Sequence, residues 1–471
     1  MAEHEPSANP YTAGIAAFVA GLRYERIPSE VIARLKLLML DALGCALFGV
    51  DLPWSRILVT TLARLDRTPD CAIWGTDRRL SAPHAALVNG SLVHSFELDD
   101  VHREGVLHVG AVTLPAILAV TELSQGLSGR DLITAAVAGY EIGPRVGMCM
   151  GPEHIGQGWH SGATVGVFSA AAGAAAALSL NATETVHALG IAGTQASGLM
   201  AAQYGAMVKR MHAGRAAQSG LYGALLAEAG FTGITDVFES RYGGFCTTFS
   251  RSEDRFDRAK LTAGLGQEFE TLRISLKFYS CVGSNHTTLD AIRKLQQRRP
   301  FGPDDIDRII VHASQATVDH VGWDYRPESL TAAQLNMGFC VATLLLENDV
   351  FVEQFSAEIV HDPRRIALAR KVQVRHDPAI TALGSKFRHK VRVEVHLIDG
   401  TALEETVTAP RGSEQAFASE SDVVAKFRKL TARAVAPGDA TRLIETVLSL
   451  DGLADARELT RLLAKTARPG D

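Results

Sequence analysis

Acids and histidines are concentrated between His94 and His108, in a stretch flanked by apolar segments. Besides these two residues, the stretch contains one more histidine and four carboxylates, which are His102, Glu97, Asp99, Asp100 and Glu104. Acidic side chains are rarely buried without a partner, and a histidine titrates near neutral pH. The composition therefore indicates a site that moves protons or holds a metal ion.

Three further stretches place histidines or fixed cations near an expected helix start. Residues 156–162 present His160 in a glycine-rich turn, where a following helix N-terminus would attract an anion. Residues 276–286 carry Lys277 and His286 on either side of a short loop. Residues 208–215 have a composition typical of carboxylate binding, with Lys209, Arg210, His212 and Arg215.

Each stretch also has a purely structural interpretation. Asp99 and Asp100 could cap a helix or pair with Arg103, and His160 could be an ordinary turn residue. The three cations of residues 208–215 could be a solvated helix start. The coincidence of four such stretches, none of which resembles an exposed amphipathic helix face, favours a shared site.

Composition limits the class of protein that must position these residues. A chain of 471 residues exceeds one ordinary hydrophobic core, so two domains of unequal size are expected. A net charge of -5 without basic runs argues against nucleic acid as a partner. The acidic start, Met1–Pro6, does not resemble a secretory signal, and no apolar run is long enough for a membrane span. With six singly scattered cysteines, we expect a cytoplasmic location.

Helical spacing of apolar residues dominates the chain up to about residue 270. A helix of residues 29–50, for example, is predicted by Val31, Leu35, Leu38 and Leu43 after Pro28. The other helices predicted in this part are residues 12–22, 55–65, 81–95, 112–123, 129–146 and 162–178. No alternating strand precedes residue 270, so residues 1–270 are predicted to be all-helical.

After Gly264 the pattern changes to a mixture of strands and helices. Residues 309–313 and 391–397 alternate as strands, and Asp399-Gly400 is a typical hairpin turn. Between these strands, residues 331–346 have helical spacing, as do residues 284–297 before them. The sequence thus predicts a mostly α protein: a large all-helical domain (1–270), a smaller α+β lid domain (271–413), and a helical tail (414–471) that returns to the first domain.

Five segments resemble the MmgE/PrpD family in order and spacing across nearly the whole chain. They are residues 40–44, residues 94–100 with His108, residues 158–162, residues 209–217 and residues 277–286. The family includes 2-methylcitrate dehydratase, cis-aconitate decarboxylase and iminodisuccinate epimerase. The resemblance implies a helical domain with a lid, a homodimer, and catalysis on a small di- or tricarboxylate without metal or organic cofactor.

The resemblance also implies a set of pocket residues. Their expected chemistry is a base, an acid and cations for carboxylate oxygens, because all three family reactions develop charge beside a carboxylate. His108 and His160 are expected to transfer protons, with Asp99 or Asp100 orienting a histidine. Lys209 and Lys277 are expected to act on substrate carboxylates or the leaving group. The expected substrate-binding residues are Glu97, Arg210, Arg215 and His286.

Two departures from the family pattern influence the predicted reaction. Decarboxylases that resemble this chain carry a threonine after the acidic pair and a second lid histidine, where this chain has Val101 and Val282. We therefore expect a dehydratase that removes a proton α to a carboxylate and then a β-hydroxyl. The chain also lacks the Trp-containing insertion of the 2-methylcitrate dehydratases. An epimerase of an amino- or imino-dicarboxylate needs the same first step and is the second alternative. A cis-aconitate-type decarboxylase is the third.

Two rival classes lie outside the family. A metal-dependent hydrolase could use His94, His102, His108 and the carboxylates as ligands, although no HExxH-type spacing supports it. A non-catalytic carboxylate-binding protein would bind its ligand without exchanging protons. Metal content and proton exchange separate these classes from the expected lyase.

Overall fold

The computed structural model describes residues 9–464 except Gln125, Pro152 and Gly205. Within this part the predicted fold class is confirmed: the chain is mostly helical, with one small α+β domain. Met1–Pro6 and the outer ends of the predicted first domain and tail lie outside the described residues.

In the residues that the structure describes, the helical domain begins with twelve α-helices. They are α1 (Pro10–Gly21), α2 (Ser29–Gly49), α3 (Pro53–Leu65), α4 (Ala82–Val93), α5 (Val109–Leu123), α6 (Gly129–Met150), α7 (Glu153–Gly156), α8 (Ser161–Thr164), α9 (Gly166–Ala177), α10 (Ala182–Gly193), α11 (Val208–Glu228) and α12 (Phe245–Ser250). In the described part of the chain, no helix is both long and apolar enough to cross a membrane.

Small residues let these helices approach closely. Helix α11 packs on α4, α9 and α10, and α6 packs on α9, whose sequence is mostly alanine. Where α4 crosses α11, a Cβ added to Gly90 would lie 2.7 Å from the Cα of Gly214. This crossing places the end of α4 beside the start of α11, which are the two segments that carry His94 and Lys209.

The described chain has four very short strands outside the main sheet, and the sequence did not predict them. They are β1 (Cys71–Ala72), β2 (Arg79–Leu80), β3 (Val101–His102) and β4 (Ile274–Ser275). Two residues are too few to show a period of two. The β3–β4 pair joins Val101 to Ser275 and His102 to Ile274, so it ties the acidic stretch to the segment that leads into the α+β domain.

The α+β domain is built on a four-stranded sheet in the order β6-β5-β7-β8. Its strands are β5 (Ile306–Ala313), β6 (Val372–His376), β7 (Val391–Leu397) and β8 (Ala402–Val407). Strand β5 pairs parallel with β6 and antiparallel with β7. Side chains of β7 alternate between buried and half-buried, as expected from the sequence, and Gly400 has a φ of 87° in the β7–β8 turn.

Seven helices cover or border this sheet in the described residues. They are α13 (Gly283–Arg298), α14 (Gln315–Val321), α15 (Leu330–Leu335), α16 (Met337–Glu347), α17 (Ala357–Val360), α18 (Pro363–Ala369) and α19 (Pro378–Ala382). The predicted helix of residues 331–346 is two helices, because Asn336 is extended and its side chain caps α16 by accepting the Phe339 N–H at 2.8 Å.

The described tail forms three helices that pack against the helical domain. They are α20 (Glu420–Thr431), α21 (Pro437–Leu448) and α22 (Arg457–Ala464). Helices α20 and α21 both contact α2, and Val423, Phe427 and Val447 belong to the buried cluster of that domain. A second buried cluster fills the α+β domain from Tyr279 to Val407. The domain limits at 270 and 414 stay a prediction for limited proteolysis.

Candidate active site

A cavity of about 490 Å³ opens between the helical domain and the α+β domain. Its wall is formed by the loop between α4 and α5, the starts of α8 and α11, the segment around β4, and several parts of the α+β domain. Of the residues that the sequence predicted for the site, the wall includes Glu97, His108, His160, Lys209, Lys277 and His286.

The loop from His94 to His108 has an unusual backbone. Glu97 and Val106 have φ values of 55° and 48°, in the left-handed region that non-glycine residues rarely adopt. Such a conformation is most costly for a β-branched residue like Val106, and it persists only where the surroundings enforce it. Both residues line the cavity. The strain is therefore stored where the loop contacts the site.

Asp99 is a fully buried carboxylate between two histidines. One oxygen, Oδ2, lies 2.9 Å from Nδ1 of His94 and 3.2 Å from Nδ1 of His108. Burial alone would raise the pKa of Asp99, but the two rings outweigh it and hold the pKa well below its usual range. Asp99 is therefore ionised and stabilises positive charge on either ring.

The surroundings of His108 select one tautomer. Its Nδ1 lies 2.8 Å from the backbone carbonyl oxygen of Asp100, which can only accept a hydrogen bond. Nδ1 must therefore carry a proton, and the neutral ring keeps its lone pair on Nε2. Because His108 lines the cavity, Nε2 is the nitrogen available to a ligand.

Asp100 has a different role from its neighbour. Its carboxylate oxygens accept the Gly110 N–H at 3.0 and 3.1 Å, in the first turn of α5. Burial and the charge of Asp99 raise the pKa of Asp100 well above its usual range. The capping interpretation thus fits Asp100, whereas the alternative pairing with Arg103 is wrong, since the Arg103 guanidinium pairs with Glu414.

The Glu97 carboxylate forms ion pairs with three cations. Its carboxylate contacts the Lys209 ammonium, lies 2.8 Å from the Arg210 guanidinium and lies 3.4 Å from Lys277 Nζ. Burial opposes ionisation of Glu97, but Lys209, Lys277 and Arg210 together hold its pKa well below the usual range. One negative charge therefore faces three positive charges, and this group attracts a further anion.

His160 lies at the start of α8 and is almost fully buried. Its Nδ1 lies 3.2 Å from Nδ1 of His212, and its ring centroid is 6.1 Å from that of His94. Burial, together with Lys209 and the neighbouring histidines, holds the pKa of His160 well below its usual range. The neutral form of His160 is therefore favoured, and a neutral ring can accept a proton from a ligand.

In the α+β domain, His286 lines the cavity and its Nε2 donates to the Cys281 carbonyl oxygen at 3.1 Å. Val101 and Val282, the positions where the sequence departs from the resembled pattern, line the same cavity. The wall is apolar at these two positions. The polar side chains that the α+β domain contributes to the wall include His286, His320 and Arg388.

Arg215 is not part of this arrangement. It is exposed on α11, and its guanidinium donates to the side chain of Gln218, one turn along the same helix. It lies six residues after Lys209, nearly two helical turns away, so the two side chains leave α11 at different heights. The structure gives no support for Arg215 as a substrate-binding residue.

Several polar residues around the cavity were not predicted as site residues. They are His212, Arg103, His320, Arg388 and His389, together with His94, which the sequence suggested only as a ligand in the rival metal-dependent hydrolase. His94 and His212 were visible within the stretches already identified. Arg388 and His389 stand just before β7, where the strand pattern gave no indication that the preceding loop would reach a cavity.

His94, Asp99 and His108 could in principle hold a metal ion, since their nearest ligand atoms lie within 4.8 Å of one another. The Nδ1 atoms of both histidines already face hydrogen-bond acceptors, however. Nδ1 of His108 needs its proton for the Asp100 carbonyl, and a protonated nitrogen cannot ligate a metal. As the residues lie, Asp99 and the two Nδ1 atoms form a hydrogen-bonded group, and the Nε2 lone pair of His108 is the donor that a ligand or an ion could still reach.

The chain matches two family models over most of its length. Residues 13–257 match the model of the MmgE/PrpD N-terminal domain, and residues 279–452 match that of the C-terminal domain. The cis-aconitate decarboxylase-like protein oryM of Aspergillus oryzae is 36% identical over 98% of this chain and 99% of its own length. A cis-aconitate decarboxylase of Aspergillus terreus is 35% identical over 96% and 95%, and one of Mus musculus is 27% identical over 96% and 93%.

Proposed function

The chain belongs to the MmgE/PrpD family, and from this membership we propose that it is a cofactor-independent lyase that decarboxylates a small unsaturated tricarboxylate. The first compound to test is cis-aconitate, which is named in the relatives that align over nearly the whole chain. The sequence alone favoured a dehydratase because of Val101 and Val282. The relatives reverse that order of preference.

Decarboxylation of cis-aconitate needs one bond to break and one proton to be delivered. The leaving carboxylate is attached to a methylene carbon beside the double bond. When this C–C bond breaks, its electron pair moves through the double bond to a carbon that carries another carboxylate, whose oxygens take up the charge. A proton then forms a C–H bond at that carbon, and CO₂ departs. The site must therefore supply cations and one acid.

The cations come from the group around Glu97. With one carboxylate between three cations, Lys209 and Lys277 keep positive charge for the oxygens of a retained carboxylate. These side chains are fixed by their ion pairs before the ligand arrives, so they stabilise developing charge without reorganising. Burial lowers the pKa of Lys209, although Glu97 opposes this shift.

The acid is His108. Asp99 stabilises its imidazolium form, and the Asp100 carbonyl holds the ring so that Nε2 is the proton-carrying atom that remains for the ligand. This oriented ring, in one cavity with Lys209 and Lys277, is the observation that carries the proposal. His160 is the second histidine of the cavity and takes or returns the proton in the alternative reactions.

The proposal is tested by incubating the purified protein with cis-aconitate, citrate, 2-methylcitrate and an amino-dicarboxylate in D₂O. Proton NMR follows the products, and released CO₂ is measured. We expect CO₂ from cis-aconitate together with new terminal alkene signals, and no CO₂ with the heat-denatured protein. A correctly folded protein that releases no CO₂ from cis-aconitate would contradict decarboxylation.

The dehydratase is kept as a second candidate because of the apolar wall at Val101 and Val282. It predicts a new alkene from citrate or 2-methylcitrate without release of CO₂. Solvent deuterium at the α-carbon of the amino-dicarboxylate, without any elimination, would instead favour an epimerase. The same set of spectra distinguishes all three reactions.

A further inference from the structure

On the side of the α+β domain, the cavity wall contains an arginine that the proposed mechanism does not use. Arg388 immediately precedes the segment that leads into β7. Its backbone carbonyl accepts hydrogen bonds from Ser314 Oγ and Thr317 Oγ1, both at 2.7 Å. These bonds fix the backbone of Arg388 against the start of α14, independently of its side chain.

Arg388 differs from the other cations of the wall in its partners. Lys209 and Lys277 share Glu97, and Arg103 pairs with Glu414. For Arg388 there is no carboxylate within 4 Å among the described residues. Its guanidinium is half-buried, and burial, followed by the charge of Arg103, lowers its pKa from the ordinary value. Within the described part of the chain, this half-buried cation therefore has no counter-ion.

A neutral His389 side chain accepts a hydrogen bond from this guanidinium. The Nε–H of Arg388 points to Nε2 of His389 at a distance of 3.2 Å. Since an arginine nitrogen can only donate, Nε2 is the acceptor, and the His389 ring is neutral with its proton on Nδ1. Burial, together with Arg388 and Arg103, holds the pKa of His389 well below its usual range, in agreement with this tautomer.

The two terminal nitrogens of Arg388 make no hydrogen bond to any residue in the described part of the chain. They form the end of the guanidinium that can bind a carboxylate through two parallel bonds. The cavity thus has two cationic places. One is the group of cations around Glu97, which includes Lys277, and the other is Arg388 in the α+β domain. His320, also in the wall, interacts electrostatically with both Arg388 and Glu97.

We propose that Arg388 is a specificity-determining residue that binds a substrate carboxylate remote from the reacting carbon and thereby selects tricarboxylates over dicarboxylates. This inference rests on the proposed function for the identity of the reacting carbon. The binding step itself can be measured without any turnover. A ligand with three carboxylates engages both cationic places with two of them and keeps the third free to leave as CO₂.

The test uses tricarballylate, a saturated tricarboxylate that cannot undergo the reaction, and the dicarboxylates succinate and glutarate. Titration calorimetry measures their affinities for the full chain and for Arg388→Gln, Arg388→Lys and Arg375→Gln. Arg375 is the matched control, because it is an exposed arginine of β6 in the same domain and lies outside the cavity wall. Thermal unfolding of each variant verifies that it is folded.

We expect Arg388→Gln to weaken tricarballylate binding about 10- to 100-fold, as for the loss of a charged hydrogen-bonding pair. The affinities for succinate and glutarate should change less than about threefold in Arg388→Gln. The tricarballylate affinity of Arg388→Lys should lie between those of Arg388→Gln and the unchanged protein, and that of Arg375→Gln should equal that of the unchanged protein. Unchanged tricarballylate affinity in Arg388→Gln, or an equal loss for all three ligands, would overturn the inference. If binding behaves as expected but cis-aconitate is not turned over, only the proposed reaction fails.

Discussion

Two adjacent acids in the loop before α5 have pKa values that are shifted in opposite directions, and this difference arises from their neighbours. Asp99 lies between two histidine rings, whereas Asp100 faces one backbone N–H and the negative charge of Asp99. The sequence predicted that one of the two would orient a histidine but could not say which. The two residues are of the same type and adjacent in the chain, and only the path of the folded backbone places Asp99 between the histidine rings and Asp100 against the Gly110 N–H.

Replacing Asp99 with Asn should therefore remove the charge that stabilises the His108 imidazolium while keeping the shape of the side chain. We expect kcat for cis-aconitate to fall by about 100-fold or more, as for the loss of an acid–base partner. The control is Glu104→Gln, which removes the charge of an exposed acid in the same loop and keeps the length of its side chain. Steady-state kinetics measure both. An Asp99→Asn enzyme with unchanged kcat would remove the pair from the mechanism.

His154 provides a pH-dependent prediction about stability. It is buried with its Nε2 2.7 Å from Thr164 Oγ1, and burial lowers its pKa from 6.5 to about 4. The unfolded chain therefore binds a proton at a higher pH than the folded chain. The contribution of His154 to the free energy of unfolding is fully present above pH 6.5 and is lost as the pH falls towards 4. The loss amounts to about 3 kcal/mol at most.

Urea unfolding between pH 7 and pH 4 measures this loss. In His154→Gln the decline over that interval should be smaller than in the unchanged protein, whereas the exposed His361→Gln serves as the control. An equally steep decline in His154→Gln would show that protonation of this ring does not contribute to acid unfolding.

At the scale of elements, the sequence predicted the long helices well because their apolar spacing is regular. Residues 129–146 and 29–50 were predicted within a few residues of α6 and α2. The cavity wall of the α+β domain was harder to predict. Arg388 and His389 belong to a loop whose position depends on hydrogen bonds to residues about 70 positions earlier in the chain, and such long-range contacts leave no local pattern.

The crossing of α4 and α11 provides the prediction at this scale. A Cβ added to Gly214 would lie 1.9 Å from the Leu87 carbonyl oxygen, so Gly214→Ala must push the helices apart. We expect a loss of about 1–3 kcal/mol in unfolding free energy and a lower kcat, because Lys209 on α11 moves relative to Glu97.

The matched control is Gly21→Ala at the end of α1, where an added Cβ would meet nothing within 4 Å. Urea unfolding and steady-state kinetics compare the two variants. Equal stability and activity of Gly214→Ala and the unchanged protein would mean that the crossing does not set the position of the site.

The whole molecule is expected to be held together by the tail. Helix α20 packs on α2, and Lys426 on α20 lies 2.5 Å from the buried Asp41 of α2 and donates to the Leu98 carbonyl of the acidic loop at 2.9 Å. If the domain limits near 270 and 414 are right, limited proteolysis should cut near both. The N-terminal and C-terminal fragments should then elute together from a sizing column.

Separation of the C-terminal fragment from the N-terminal one under native conditions would contradict this arrangement. The homodimer, the cytoplasmic location and the independence from cofactors that the sequence led us to expect stay predictions. Sedimentation analysis and metal analysis of the same preparation would test the first and the last of these.

The central claim is that an acid fixed in the cavity protonates one face of a carbanion whose carboxylate is held by cations. Its most direct test is the deuterium in the product formed from cis-aconitate in D₂O, measured by deuterium NMR in a chiral medium. We expect one deuterium per product molecule, at the methylene carbon beside a retained carboxylate and in a single configuration, with a rate that falls about 100-fold or more in His108→Gln. Equal amounts of the two configurations, or a product without solvent deuterium, would contradict protonation by a residue of the cavity.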